Sequence, residues 1–240
     1  MPTVGMIVPP AEGNVPPEPP VLYPEIAFLA EGLALPELTL DGYESVIAHT
    51  ANLASRLKER GAEAISLMGT SLSFYRGHEG NRQVLKAMRE ATGLPVTTMT
   101  DSVLSALDSF DAKRISVATA YTEPVNRTLQ VYLEAAGYEV VSMVSLGLKG
   151  VSDILSVGDQ ELMDLGLKAH NEGPESDALF MSCGGLRTLP VVAPLEAAVN
   201  KPVITSATAG AWGAVRLVGH PGTSAGWGSL FDTDAPLLAS

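Results

Sequence analysis

The sequence predicts an α/β fold of two pseudo-symmetric Rossmann-like halves, each a mainly parallel sheet flanked by helices, with the active site in the cleft between them. Short apolar runs typical of buried strands alternate with helical segments along the chain, which favours parallel sheets. The segments 64–72 and 178–186 also match, since both are strand-like runs that end in a small, polar turn. Such a repeat indicates two related halves, and we assign residues 1–113 with 207–240 to the first half and 114–206 to the second.

The first half is predicted to begin with a buried strand from Thr3 to Val8, which Pro9 and Pro10 end. The proline-rich segment 11–24 is expected to be an extended loop at the ligand-binding edge of the sheet. The further elements follow in order: a strand over 25–30, a loop over 33–40, one helix from Asp41 to about Gly61, a strand over 64–68, a helix over 82–92, a strand over 96–99, and a helix to about Ser109 that Asp101 caps.

The second half is predicted to begin with a strand over 115–119, followed by a helix with Pro124 in its first turn and Gly137 as its C-cap. The further elements follow in order: a strand over 140–146, helices over 152–155 and 159–169, a strand over 177–180, a helix over 191–199, a strand over 203–205 and a helix over 208–218. We expect the last helix to return to the first half, because it repeats the role of the helix at Asp101. The glycine-rich segment from Gly219 gives no clear pattern.

Composition and charge limit the kinds of partner. The chain has 240 residues, 46% of them hydrophobic, which is enough for a substantial core. It carries 15 basic and 27 acidic residues, a net charge of −12, which disfavours nucleic acid and anionic membranes. We see no signal peptide and no run of about 20 apolar residues. A single cysteine suits a reducing compartment, so we expect a cytoplasmic protein, and we expect it to be a monomer.

The only cysteine of the chain, Cys183, follows a predicted buried strand and precedes Gly184 and Gly185. The two glycines let the backbone turn sharply and bring free N–H groups close to a small ligand. In the repeat, Gly69 stands where the other half has Cys183. A ligand in the cleft would therefore meet a thiol on one face and only a glycine on the other. The alternative is that Cys183 is an inert, buried apolar residue.

Four motifs, spread over nearly the whole chain, are distinctive: Gly5-Met6-Ile7-Val8-Pro9-Pro10, Ser66-Leu67-Met68-Gly69-Thr70-Ser71-Leu72-Ser73-Phe74-Tyr75-Arg76-Gly77, Ala118-Thr119-Ala120-Tyr121 and Ser182-Cys183-Gly184-Gly185-Leu186. In these motifs the chain resembles the arylmalonate decarboxylases, in the aspartate/glutamate racemase superfamily. Racemases of this superfamily have a cysteine in each half, and the related maleate isomerases also use two. The combination of Gly69 with Cys183 therefore favours the decarboxylase branch.

The resemblance implies a cofactor-free decarboxylase of 2-aryl-2-alkylmalonates that gives one enantiomer of the 2-arylalkanoate. Cys183 would protonate an enediolate intermediate, and for this it must rest as a thiol. Hydrogen-bond donors around the developing charge would come from the hydroxyls of Thr70, Ser71 and Tyr121 and the turn at Gly184 and Gly185. Helix capping is an alternative role for Thr70 and Ser71, and a core position is one for Tyr121.

The same resemblance implies two pockets, one for the departing carboxylate and one for the aryl group. Their expected lining is Pro9, Leu35, Tyr43, Leu72, Val151 and Ile154. Each of these is also an ordinary core residue. The family has methionine where this chain has Ile154, so the pocket shape and the preferred substrate can differ here.

Two other functions stay open on the sequence. One is a racemase or cis-trans isomerase of a small dicarboxylate or amino acid, with a base other than a second thiol. The other is a non-catalytic module that binds a carboxylate. The four histidines, at 49, 78, 170 and 220, have no metal-ligand spacing, and neither a phosphate-binding glycine motif nor a nucleophile elbow is present.

Overall fold

The chain folds into two four-stranded sheets in which every strand pair is parallel. A computed structural model describes residues 1–232; the predicted first half extends to 240, and its last eight positions lie outside the described residues. The strands are β1 (Thr3–Val8), β2 (Ala27–Gly32), β3 (Ala64–Leu67), β4 (Val96–Thr98), β5 (Arg114–Thr119), β6 (Glu139–Ser145), β7 (Ala178–Ser182) and β8 (Val203–Thr205).

Eleven α-helices connect and flank these strands within residues 1–232. They are α1 (Glu18–Leu22), α2 (Leu40–Val46), α3 (Thr50–Glu59), α4 (Thr70–Phe74), α5 (Gly77–Thr92), α6 (Met99–Asp108), α7 (Glu123–Ala135), α8 (Val151–Leu155), α9 (Asp159–Glu172), α10 (Leu189–Val199) and α11 (Ser206–Arg216). Two short 3-10 helices cover Ile47–His49 and Ser229–Asp232. No helix in the described part of the chain is long and apolar enough to cross a membrane.

The two sheets have equivalent strand orders, β2-β1-β3-β4 and β6-β5-β7-β8. This confirms the predicted fold class and the repeat that led to it. In both sheets the strand that delivers the repeated turn, β3 or β7, is central and buried along its whole length, as continuous apolar strands of parallel sheets are. The boundaries of the two halves remain a prediction.

The two halves meet where α6 packs against α11. Each helix begins with a threonine cap: the hydroxyl of Thr98 accepts from the amide of Asp101 at 3.3 Å, and that of Thr205 from the amide of Thr208 at 3.2 Å. Close approach depends on glycine, because a Cβ on Gly210 would lie 2.9 Å from Cε of Met99. The repeated caps therefore bring the C-terminal ends of both sheets to one cleft.

Three local predictions were wrong. The segment 11–24 is not wholly irregular, because it contains α1, whose early prolines suit a first helical turn. The predicted helix over 41–61 is broken at the 3-10 turn, where the Thr50 hydroxyl donates to the carbonyl of Ile47 at 2.8 Å and competes with the helical pattern. The cap of α6 is Thr98, and the Asp101 carboxylate instead accepts from the Asn81 amide at 2.6 Å.

Candidate active site

A cavity of about 350 Å³ opens at the C-terminal ends of both sheets, mainly between apolar side chains. Ten of the twelve predicted site residues line it: Pro9, Leu35, Thr70, Ser71, Tyr121, Val151, Ile154, Cys183, Gly184 and Gly185. The other two, Tyr43 and Leu72, are buried but do not line it. Open α/β sheets bind ligands at the C-terminal ends of their parallel strands, which is where this cavity lies.

Strand register places Tyr121 beside Cys183. β5 and β7 run parallel with Thr119 opposite Ser182, so the residues that follow leave the sheet side by side. The Cys183 side chain is 4% exposed. Burial raises the pKa of the Cys183 thiol to about 11, although the Tyr121 hydroxyl and the amides of Gly185 and Leu186 act in the opposite direction. The sulfur is therefore a neutral thiol at neutral pH, suited to donating a proton rather than to nucleophilic attack.

The backbone of Cys183 is strained. Its φ is 147°, in a region that residues with a Cβ rarely adopt, at a cost on the order of 1–3 kcal/mol. The turn packs closely against Met99 because the next residue, Gly184, has no Cβ. A Cβ there would lie 2.8 Å from Sδ of Met99. Strain held in place by such packing is typical of functional turns.

We expect the Cys183→Gly variant to be more stable than Cys183→Ala, although glycine normally weakens an element relative to alanine. Only alanine keeps the strain at this φ, so the free energies of unfolding should differ by about 1 kcal/mol. Denaturant unfolding of both variants measures the difference. The same pair of substitutions at Ser182, which has no positive φ, is the control and should favour alanine. Equal stability of the two Cys183 variants would contradict the strain.

The turn of the first half presents its hydroxyls to the cavity rather than to a helix. α4 begins at Thr70, but its N-cap is Gly69, and neither Thr70 nor Ser71 makes a capping bond. The Thr70 hydroxyl instead donates to Oγ of Ser206 at 2.7 Å. The same oxygen accepts the backbone N–H of Cys183 at 3.2 Å. The capping alternative is therefore not what the structure shows for these two residues.

Ser206 is a site residue that sequence reasoning missed. It is buried at the start of α11 and connects the turn of one half to the turn of the other. A signal was present in the repeat, because Ser206 follows the capping Thr205 as Met99 follows Thr98. Ser206 already accepts the Cys183 N–H and the single proton of the Thr70 hydroxyl, which leaves the hydroxyls of Ser71 and Tyr121 and the later amides of the turn for a ligand.

The tyrosines of the site are neutral donors. Burial raises the pKa of Tyr121 well above its ordinary value, and Ser182 donates to its hydroxyl at 3.4 Å. Burial also raises the pKa of Tyr43. The Tyr43 hydroxyl is buried near Ser71 and makes no hydrogen bond of good geometry with any residue in 1–232.

Three charged side chains line the cavity among the residues that the structure describes, and two of them, Glu12 and Arg187, are exposed. Arg187 is the one cation of the lining, and Glu12 and Glu18 are its acids. Within residues 1–232 there is no group of three His, Cys, Asp or Glu that could hold a metal ion. The inner end therefore offers hydroxyls, amides and one thiol, a set suited to binding an oxyanion and delivering a proton.

Comparison with known proteins finds similar sequences along nearly the whole chain. A family model described as arylmalonate decarboxylase matches residues 4–231. The chain is 45% identical to the arylmalonate decarboxylase of Bordetella bronchiseptica over 96% of this chain and 97% of that protein. It is 25% identical to the maleate isomerase of Nocardia farcinica over 99% and 98% of the two chains.

The fold comparison finds solved structures of both kinds of enzyme. A crystal structure of a glycine-to-cysteine, cysteine-to-serine double mutant of arylmalonate decarboxylase in liganded form superposes with a TM-score of 0.95 at 44% identity, over 97% of this chain and 99% of that one. The maleate isomerase Iso of Pseudomonas putida S16 superposes with a TM-score of 0.89 at 21% identity, over 97% and 99% of the chains, a likeness of fold.

Proposed function

The chain belongs to the arylmalonate decarboxylase family, and from that premise we propose that it converts 2-aryl-2-alkylmalonates into one enantiomer of the 2-arylalkanoate without a cofactor. The observation that carries the proposal is the asymmetry of the cavity. Cys183 and Gly69 are equivalent positions of the repeat and line the same cavity, but only one of them has an acidic group. A planar intermediate held there receives its proton on one face.

The proposed chemistry begins with one substrate carboxylate bound by the hydroxyls of Ser71 and Tyr121 and by that of Thr70, which exchanges its bond to Ser206 for one to the substrate. The other carboxylate lies against apolar wall, where losing charge as CO2 is favoured. When its C–C bond breaks, the electron pair moves into the bound carboxylate to form an enediolate. The neutral donors stabilise the new charge, each by about 3 kcal/mol where well placed. The Cys183 S–H then gives its proton to the carbon, and the thiolate regains one from water.

The decisive experiment is to incubate the protein with 2-phenyl-2-methylmalonate, with a metal chelator and no added cofactor, and to follow CO2 release and product handedness. We expect stoichiometric CO2 and a single enantiomer. Absence of CO2 release would overturn the proposal. A racemase or isomerase would need a base other than a second thiol, since Gly69 supplies none. We further propose that the enzyme acts in the cytoplasm as a monomer; its free cysteine suits a reducing compartment.

Turnover should be independent of pH through the neutral range and should fall only as the pH rises through about 11. The active form of Cys183 is the protonated thiol, which predominates below its pKa and is lost above it. Burial raises that pKa, so the alkaline limb lies higher than for an ordinary thiol. A profile of kcat against pH tests this, with circular dichroism to confirm that the protein stays folded. An alkaline limb near pH 8.5 would indicate an unshifted thiol.

The Ser206→Ala variant should lose roughly 10- to 100-fold in kcat, because it releases both the Thr70 hydroxyl and the Cys183 amide from their shared partner. KM should change less, and the enantiomeric excess of the product should drop. Ser102→Ala is the matched control, since Ser102 is also buried, lies on the neighbouring helix α6 and does not line the cavity. Equal effects of both substitutions would show that Ser206 contributes only through packing.

A further inference from the structure

The cavity lining holds a buried carboxylate without a side-chain partner. Glu18 lines the cavity and is 5% exposed, whereas acidic side chains are almost never fully buried unless paired. Its carboxylate is hydrogen-bonded by its own backbone amide, and no side chain of residues 1–232 donates to it. Burial is the largest influence on its pKa, which is raised. A buried carboxylate that faces a cavity in this way is costly unless a ligand supplies the missing partner.

Arg187 lies on the same stretch of the lining and is equally without a partner. It follows the Cys183 turn by four positions and is exposed. Its positive charge acts on Glu18 across space, but the two do not form an ion pair, and Arg187 makes no hydrogen bond with any residue that the structure describes. A carboxylate and a guanidinium therefore line the same cavity, each with free hydrogen-bonding capacity.

We propose that Glu18 and Arg187 form a specificity site that selects substrates whose aryl group carries a hydroxyl. This deepens the proposed function and rests on it. A hydroxyl is both donor and acceptor, so it can donate to the Glu18 carboxylate while it accepts from the Arg187 guanidinium. It also fits Glu18 when that group is protonated, because the hydroxyl then accepts from it.

Other substituents fit this pair of residues less well. An ammonium group on the ring is repelled by Arg187, and a further carboxylate or phosphate is repelled by Glu18. A methyl group has the size of a hydroxyl but leaves both charged groups unsatisfied, which costs affinity because one of them is buried. Most of the remaining lining is apolar, with Pro9, Val15 and Leu155 among its members, as an aromatic ring requires.

The test compares three substrates, 2-methylmalonates that carry a 4-hydroxyphenyl, a 4-methylphenyl or a phenyl group. We expect the wild type to prefer the hydroxyl over the methyl substrate by at least about tenfold in kcat/KM, the effect of one hydrogen bond to a charged group. Arg187→Met and Glu18→Leu should each bring the ratio close to one, and Glu18→Gln should keep part of it. Both substrates are dianions, so any general effect of a substitution on the electrostatic attraction of the substrate cancels in this ratio.

Arg127→Met is the matched control, because Arg127 is exposed on α7, pairs with Glu123 and does not line the cavity; it should keep the wild-type ratio. Arg187 is exposed, so its variant tests the site even if Glu18→Leu fails to fold. Turnover of the phenyl substrate without a hydroxyl preference would overturn this inference and leave the proposed function standing.

Calorimetry with the products tests the site without turnover. The wild type should bind 2-(4-hydroxyphenyl)propionate at least about tenfold more tightly than 2-(4-methylphenyl)propionate, and Arg187→Met should bind them equally. If no malonate is decarboxylated but this difference is found, the proposed reaction is wrong and the hydroxyl site stands. Equal binding of the two products by the wild type overturns the site.

Discussion

Replacement of Cys183 with alanine should lower kcat about 10²- to 10⁴-fold, the usual contribution of a positioned general acid. The variant keeps the hydroxyls and amides that bind the enediolate, so KM should change little. The variant loses the only thiol of the chain. Water would then have to donate the proton, and it would have to enter a cavity built largely from apolar side chains to do so. The measurement is kcat for 2-phenyl-2-methylmalonate, together with the product's enantiomeric excess, which should collapse.

The control for this substitution is Met181→Leu, a volume-conserving change in the same strand at a buried residue that does not line the cavity. It should retain nearly full activity. If the Cys183→Ala variant still decarboxylates at the wild-type rate and gives one enantiomer, the Cys183 sulfur is not the proton donor. Unfolding curves of both variants separate a chemical effect from a loss of structure.

Moving the thiol to the other half should reverse the handedness of the product. In the Gly69→Cys, Cys183→Ser double variant the acid approaches the opposite face of the same bound enediolate. Gly69 has a φ of −145°, which any residue adopts. A Cβ there would lie 2.7 Å from Cδ1 of Leu72, the flexible end of a side chain, so a rotamer change of Leu72 accommodates it. Chiral chromatography should show the opposite enantiomer in excess, with a lower rate.

The single variants complete this test. Cys183→Ser alone should be nearly inactive, since it has no thiol, and Gly69→Cys alone should give both enantiomers, since it has one acid on each face. Unchanged handedness in the double variant would show that the two repeated turns do not face the intermediate from opposite sides.

The main features of the fold and of the reacting end were predictable because they repeat within the chain. The matching runs at 64–72 and 178–186 gave the two parallel sheets, and they placed Gly69 and Cys183 at equivalent turns. The local mistakes concern competition between side chains and backbone. Thr50 interrupts the helix that apolar spacing alone predicted, and Thr98 takes the capping role expected of Asp101.

Features that depend on distant parts of the chain were not predictable in this way. Ser206 looks like one more small residue at a helix start until the fold brings it between Thr70 and Cys183. Tyr43 and Leu72 were expected on the cavity wall, but they lie behind it. Glu18 and Arg187 are ordinary charged residues in the sequence, and only their positions in one cavity connect them.

The bond between Thr70 and Ser206 joins residues that are 136 positions apart. On a ribosome the reacting centre therefore cannot assemble until Ser206, at the start of α11, has emerged. Contacts of such separation raise contact order and slow folding. A nascent or truncated chain that ends before Ser206 would carry its thiol in an unfinished cleft, without the partner that holds the Cys183 amide in the complete fold.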